Sequence, residues 1–141
     1  MFWVFEERTM KNEKFLKSQK ILRLATIDSS GDPHIVPVWY MYANGKFYAG
    51  TNTKTQKAKN IKKNSKISFC VDTGIRSPDI IGVMGTGRAK LILKTKMVRS
   101  IAKKILLRYF TSLKNKSAQE LLDQTDCIIE ITPKKITDWR Y

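Results

Sequence analysis

Ile35–Lys63 reads IVPVWYMYANGKFYAGTNTKTQKAKNIKK. An apolar strand runs into Asn44-Gly45, a second strand ends at Gly50-Thr51-Asn52, and a short helix rich in Lys and Thr follows. Asn-Gly is a strong hairpin signal because both residues accept the positive φ angles of a two-residue turn. The two strands therefore bring hydroxyls, backbone amides and ammonium groups to one edge of a sheet. A phosphate needs such a set of converging donors with positive charge behind them. On the preceding strand Val36, Pro37, Val38 and Trp39 suit the flat face of an aromatic ring system. Phosphate at one end and a planar ring at the other describe a nucleotide-like cofactor.

The flanking sequence extends this pattern. Ile21–Asp28 alternates Leu22, Leu24 and Thr26 with Arg23, Ala25 and Ile27, which predicts a strand. Asp28–Pro33 is a turn, and His34–Tyr42 reads as one strand. The helix after the hairpin starts at Thr53 or Thr55 and runs to about Lys63, with Ala58 and Ile61 as its apolar positions. Upstream, Asn12 fits the N-cap of a short helix through Ser18 that turns Phe15 and Leu16 inward. Downstream come a strand over Lys66–Asp72, a loop over Gly74–Asp79 and a long strand region over Ile80–Leu93. Gly82, Gly85 and Gly87 interrupt that region and mark bulges, bends or close backbone approach. Thr95–Phe110 carries Val98, Ile101, Ala102, Ile105, Leu106 and Tyr109 at helical spacing. Ser117–Gln124 is a second helix, in which Ser117 and Glu120 fit a capping box. Cys127–Ile131 and, after Pro133, Lys135–Trp139 are strands. Hairpin-linked strands with peripheral helices describe a mainly β, antiparallel barrel; the pattern leaves an open α+β sheet as its alternative.

A chain of 141 residues is long enough for one domain with its own core, here preceded by a short N-terminal arm over residues 1–10. No apolar run approaches the about 20 residues of a membrane-spanning helix. The start, MFWVFEERTM, lacks the basic flank and long apolar centre of a leader peptide, so a cytoplasmic protein without membrane contact is expected. Cys70 and Cys127 are far apart, show no metal-ligand spacing and sit in strand-like apolar runs, so they read as apolar thiols. The formal net charge is +15, from 27 Lys and Arg against 12 Asp and Glu. Most of this excess fits a solvated cationic surface, and a few of the charges fit an anionic cofactor. Attraction to nucleic acid would follow from electrostatics alone. No helix-turn-helix, zinc knuckle or basic–aromatic RNA motif accompanies the charge, so specific nucleic-acid binding is not expected.

Four ordered pieces carry a family resemblance. They are LRLATIDSSGDPHIVPVWY at Leu22–Tyr40, GKFYAGTNTKTQKAKNIKKNSKISFCVD at Gly45–Asp72, GVMGTGRAKLI at Gly82–Ile92 and ITPKKITDW at Ile131–Trp139. Together they resemble the pyridoxamine 5′-phosphate oxidase-like family over roughly residues 11–139. The resemblance implies a split antiparallel β-barrel that binds FMN, or in some branches a deazaflavin coenzyme, commonly across a homodimer seam. It places Val36–Tyr40 along the flavin ring, and Thr51 and Asn52 at the turn that ends the next strand. Thr55, Gln56 and Lys57 fall on the family's Ser/Thr-Arg-Lys phosphate position. Glutamine at the middle position removes a bidentate donor, for which the neighbouring Lys54 can compensate. Asn60 lies one turn after Lys57 and extends the same edge. Tyr40 stands where the oxidase proper often has lysine, and Trp139-Arg140-Tyr141 only partly echoes the oxidase's substrate-binding end. True pyridoxamine 5′-phosphate oxidase activity is therefore not expected.

The acid–base inventory is thin. His34 is the single histidine, no nucleophile–base–acid arrangement is legible, and no residue is assigned a catalytic role. GTGRAK at Gly85–Lys90 lacks the strand-to-helix context of a dinucleotide loop. A cofactor that carries the chemistry makes such a chain an enzyme all the same. The expectation is a flavin-binding oxidoreductase moving hydride or electrons between FMN and a small substrate. The alternatives are a deazaflavin-dependent reductase and a non-catalytic flavin-binding module. Each site residue also has a structural reading: Val36 and Val38 as core, Pro37 as an edge marker, Trp39 as core or seam, and the lysines as solvated charges. Trp39, Tyr40 and the strand around Val83–Ala89 are expected to be covered in the homodimer.

Overall fold

The computed structural model describes residues 2–141, with side chains described at Thr9 and from Lys11 onward. Seven strands, β1 (Leu22–Ile27), β2 (Pro33–Val38), β3 (Met41–Ala43), β4 (Lys46–Thr51), β5 (Lys66–Thr73), β6 (Ile81–Ile92) and β7 (Cys127–Arg140), form one sheet. Four helices, α1 (Phe2–Ser18), α2 (Gln56–Lys63), α3 (Thr95–Leu106) and α4 (Lys116–Gln124), surround it. The strand order is β2-β1-β5-β6-β7-β4-β3, and every pairing is antiparallel.

β2 and β3 are thus the two outer strands, yet they are consecutive in the chain. Only Trp39 and Tyr40 separate them. Three Cα–Cα steps of about 3.8 Å span at most about 11 Å, so the two edges of the sheet must approach each other. The sheet curls into a barrel whose edge strands do not pair: a split barrel. The single strand expected over His34–Tyr42 is cut at this crossing, because its first half belongs to one edge and its second half to the other.

Local chemistry accounts for the hairpins. Asn44 and Gly45 sit at φ 54° and 75°, and the register Ala43↔Lys46 leaves just these two residues in the β3–β4 turn. In the β1–β2 turn one carboxylate oxygen of Asp28 accepts from the amides of Ser30 and Asp32, each at 2.9 Å. β6 is continuous. A Cβ at Gly85 would lie 2.4 Å from the Lys135 carbonyl oxygen and 2.6 Å from the Phe69 ring, so β7 and Phe69 close in where a side chain would stand. β7 is also continuous, contrary to the expected break at Pro133. Thr86 pairs with Lys135 and Gly87 with Pro133, so a bulge takes up the extra residue and the strand carries on.

Two apolar clusters lie on opposite faces of the sheet. The barrel interior holds Leu22, Leu24, Phe47, Phe69, Val71, Val83, Ile129 and Ile131, closed by Phe15 and Leu16 of α1 and Ile61 of α2. On the outside of β4 and β7, Val98, Ala102, Ile105 and Leu106 of α3 cover Ile128 together with Leu122 of α4. This two-sided cover explains the unbroken apolar run at Cys127–Ile129. Asn12 lies inside α1 rather than at its start, and its amide donates to Asp138 at 2.6 Å. The N-cap of α4 is Asn115, whose side chain accepts from the amides of Ser117 and Ala118, so the capping box expected at Ser117 does not form.

α3 ends at Leu106, short of the expected Phe110. Past it, the backbone turns so that Arg108 and Tyr109 reach the β2–β3 crossing. Arg108 donates to the carbonyls of Tyr40, Lys17 and Gln19, while the Tyr109 hydroxyl accepts from the Tyr40 amide at 2.8 Å and donates to the Lys20 carbonyl at 2.9 Å. One turn of chain thereby satisfies backbone groups that the crossing removes from the sheet ladder. Tyr40 is fully buried there, and burial pushes its phenol pKa up despite the nearby Arg108.

Candidate functional site

β4 delivers the chain to the amino end of α2 through the loop Asn52–Thr55. The Asn52 side chain braces this loop, accepting from the Lys54 amide at 3.0 Å and donating to the Gln124 carbonyl at 3.0 Å. Asp126 accepts from both the amide and the hydroxyl of Thr53. Thr55 is the N-cap residue of α2, but its side chain does not cap the helix. Its hydroxyl instead donates to the Asn52 carbonyl at 2.8 Å and lies 3.0 Å from the Thr51 hydroxyl. The amides of Gln56, Lys57 and Ala58 therefore open the helix without intrahelical acceptors, and no acid occupies the first turn. An uncapped helix start with two hydroxyls beside it suits an anion.

Lys57 is half-buried at this end. Burial holds its ammonium below the ordinary lysine range, with nearby Cys127 opposing the shift. Burial pushes the Cys127 thiol up to about 11, so it is neutral near pH 7 and leaves the Lys57 charge uncompensated. Among the described residues no carboxylate lies within ion-pair range of Lys57. Gln56 and Lys54 are exposed. Gln56 donates to Asn60 at 2.6 Å, and buried Asn60 donates to the buried Thr26 hydroxyl at 2.9 Å. Asn60 thus pins α2 to β1, so its amide is spent on positioning the helix. Thr26 pairs in register with His34 on β2. His34 Nδ1 is a buried side-chain nitrogen without a hydrogen-bond partner, which brings an unspent polar atom to the β1–β2 side of α2. The sequence reading set His34 aside; its one signal was being the sole histidine at the start of the ring-side strand.

Along β2, burial alternates. Val36 and Val38 point into the core, whereas Ile35, Pro37 and Trp39 face out. A planar ring on the outer face would meet Ile35 and Pro37, not the two valine side chains. Ile35, 67% exposed, was missed as a candidate; strand alternation from buried Val38 identifies it. Trp39 already has a stacking partner in Tyr109, at 4.2 Å between ring centres and 6° between planes, with Phe110 edge-on at 5.8 Å. Trp39 is still 38% exposed. Tyr40, expected at a dimer seam, lies in the interior. The structure thus gathers Thr51, Thr55, Lys57 and the α2 amides at one point and places Pro37 on the outer face of the edge strand β2.

The profile of the pyridoxamine 5′-phosphate oxidase family matches residues 9–140. A 5a,11a-dehydrotetracycline/5a,11a-dehydrooxytetracycline reductase of Streptomyces rimosus is 29% identical over 89 residues, which span 57% of this chain and 63% of that protein. The match thus covers less than two thirds of the reductase. The fold is shared with a conserved hypothetical protein of Mycobacterium tuberculosis, at a TM-score of 0.81 and 23% identity over 93% of this chain and 83% of the other. It is also shared with an FAD-binding protein of Mesorhizobium loti, at a TM-score of 0.70 and 20% identity over 92% and 91%. With its split barrel and its match across nearly the whole chain, this protein belongs to the pyridoxamine 5′-phosphate oxidase family.

Proposed function

We propose that the chain is a homodimeric, FMN-dependent oxidoreductase acting on a small organic substrate. The observation that carries this reading is the amino end of α2: an uncapped helix start, the Thr51 and Thr55 hydroxyls, and a partly desolvated Lys57 ammonium with no carboxylate partner. These groups match a phosphate in charge and in donor count. The outward Ile35 and Pro37 on β2 suit the ring of such a cofactor. FMN when bound supplies hydride or electron exchange. The protein's part is to hold the phosphate with Thr51, Thr55, Lys57 and the α2 amides, to lay the ring along β2, and to exclude water from it. No protein side chain is assigned a proton-transfer role. The family membership and the reductase relative support redox chemistry on a small molecule.

Dimerisation would cover the outer sheet face, where Ile35 on β2 is 67% and Met84 on β6 is 41% exposed, and would bring a second chain over the ring site. The lysine-rich exposed side of α2, with Lys59, Lys62 and Lys63, favours a second reading in which the cofactor is a deazaflavin with a longer acidic tail. Titration with FMN and with a deazaflavin coenzyme, followed by absorbance and calorimetry, tests both. Saturable FMN binding at one per chain supports the proposal. Preference for the deazaflavin selects the second reading. Binding of neither would make this a barrel without a flavin.

A further inference from the structure

α2 has a second flank, turned away from the cofactor site. β5 begins only at Lys66, which pairs with Arg88, while β6 runs on to Ile92. The amide of Ala89 still finds the Ser65 carbonyl at 2.9 Å. Two residues on, the backbone of Leu91 faces the same side, where no strand of the sheet accompanies it. α2 lies across this overhang and leaves a groove of about 680 Å³. That volume is in the range of small-molecule sites. Its walls are apolar: Ala58 and Ile61 from α2, Ala89 and Leu91 from β6, and Leu93, which is 60% exposed.

The rim is cationic. Lys59, Lys62 and Lys90 line the groove, and among the described residues no acidic one does. Lys90 also lies 3.5 Å from Glu130, so Lys59 and Lys62 carry most of the free charge. An apolar trough with ammonium groups on its rim is complementary to a molecule that is apolar along its length and anionic at one end. Neither a neutral lipid nor a hydrophilic anion uses both features.

We propose that the groove between α2 and the overhanging end of β6 binds a small amphipathic organic anion. The aliphatic or aryl body lies on Leu91 and Leu93, with the almost fully buried Ala58 and Ile61 forming the floor behind them, and the carboxylate sits between Lys59 and Lys62. This site is independent of the FMN reading, since Lys57 and Asn60 face the other flank of the helix, whereas a deazaflavin tail would compete for Lys59 and Lys62.

Calorimetric titration of the whole protein with decanoate, below its micelle threshold, tests the proposal, with decanol and butyrate as controls. Decanoate should bind saturably at one per chain, and decanol and butyrate should each bind about tenfold more weakly or worse, because each lacks one half of the match. Lys59→Glu combined with Lys62→Glu, both exposed, should weaken decanoate by about tenfold or more while leaving the thermal melt in place. Leu93→Gln tests the apolar wall in the same way and does not depend on the lysines. Equal affinity for decanol, non-saturating uptake, or decanoate binding untouched by both variants overturns the proposal. So does a groove that closes with rising protein concentration and excludes decanoate, since its occupant is then a second copy of the chain.

Discussion

Replacing Asn60 should expose how α2 is held in place. The Asn60 amide donates to the Thr26 hydroxyl at 2.9 Å, and the two residues are 3% and 1% exposed. Asn60→Ala removes the donor and leaves the hydroxyl buried without a partner. An unsatisfied buried group costs about 1–3 kcal/mol. Gln56 also loses its acceptor, but it is exposed and water replaces Asn60 at little cost. Thr26→Val removes the hydroxyl in nearly the same shape and strands the Asn60 amide, at a similar cost of about 1–3 kcal/mol. In the double variant neither polar group remains, so only the lost bond and the amide's volume count. The double variant should therefore be less destabilised than the sum of the single ones by about 1–2 kcal/mol, within the usual range for residues in contact. Urea denaturation of the four proteins, with a common slope, gives this coupling directly. Costs that add to within about 0.5 kcal/mol would show that the bond does not tie α2 to β1, and the reasoning would fail.

Lys57→Ala should weaken FMN by about 1–3 kcal/mol in a folded protein, as expected for a charge-assisted contact; unchanged affinity removes Lys57 from the site. Burial lowers the Lys57 pKa from its ordinary 10.5, so the penalty of the buried charge is fully present below the folded value and disappears as pH rises toward 10.5. Stability should therefore rise across that window while FMN affinity falls, and both trends should vanish in the alanine variant. Gln56→Arg should strengthen FMN binding measured by fluorescence quenching, because a guanidinium replaces a side chain now turned to Asn60. Gly85→Ala should destabilise the barrel by about 1–3 kcal/mol or more in thermal denaturation, since its methyl would press on the Lys135 carbonyl and the Phe69 ring. Light scattering over a dilution series should show a dimer; a stable micromolar monomer that still binds FMN tightly would remove the shared seam.

Much of the architecture was legible in short-range chemistry. Asn44-Gly45 fixes its hairpin because two adjacent residues tolerate positive φ. Val98, Ala102, Ile105 and Leu106 announce α3 because the helical period puts them on one face. The Thr51–Lys57 cluster was visible for the same reason: a strand end and a helix start adjoin in the chain. Other features depend on residues distant in sequence. Nothing between His34 and Tyr42 signals that the strand must leave one sheet edge for the other; Arg108 and Tyr109, almost seventy residues on, hold that crossing. Pro133 looks like a strand breaker, yet a bulge at Lys134 lets β7 stay paired with β6 past it. Val36 and Pro37 are both apolar, and only curling of the sheet assigns one to the core and the other to the outer face. Asn60 reads as an extension of the phosphate edge, and only the fold brings Thr26 beneath it. Local propensity sets which segments are strands and helices, but the direction each side chain faces follows from closure of the barrel, which is a property of the whole chain.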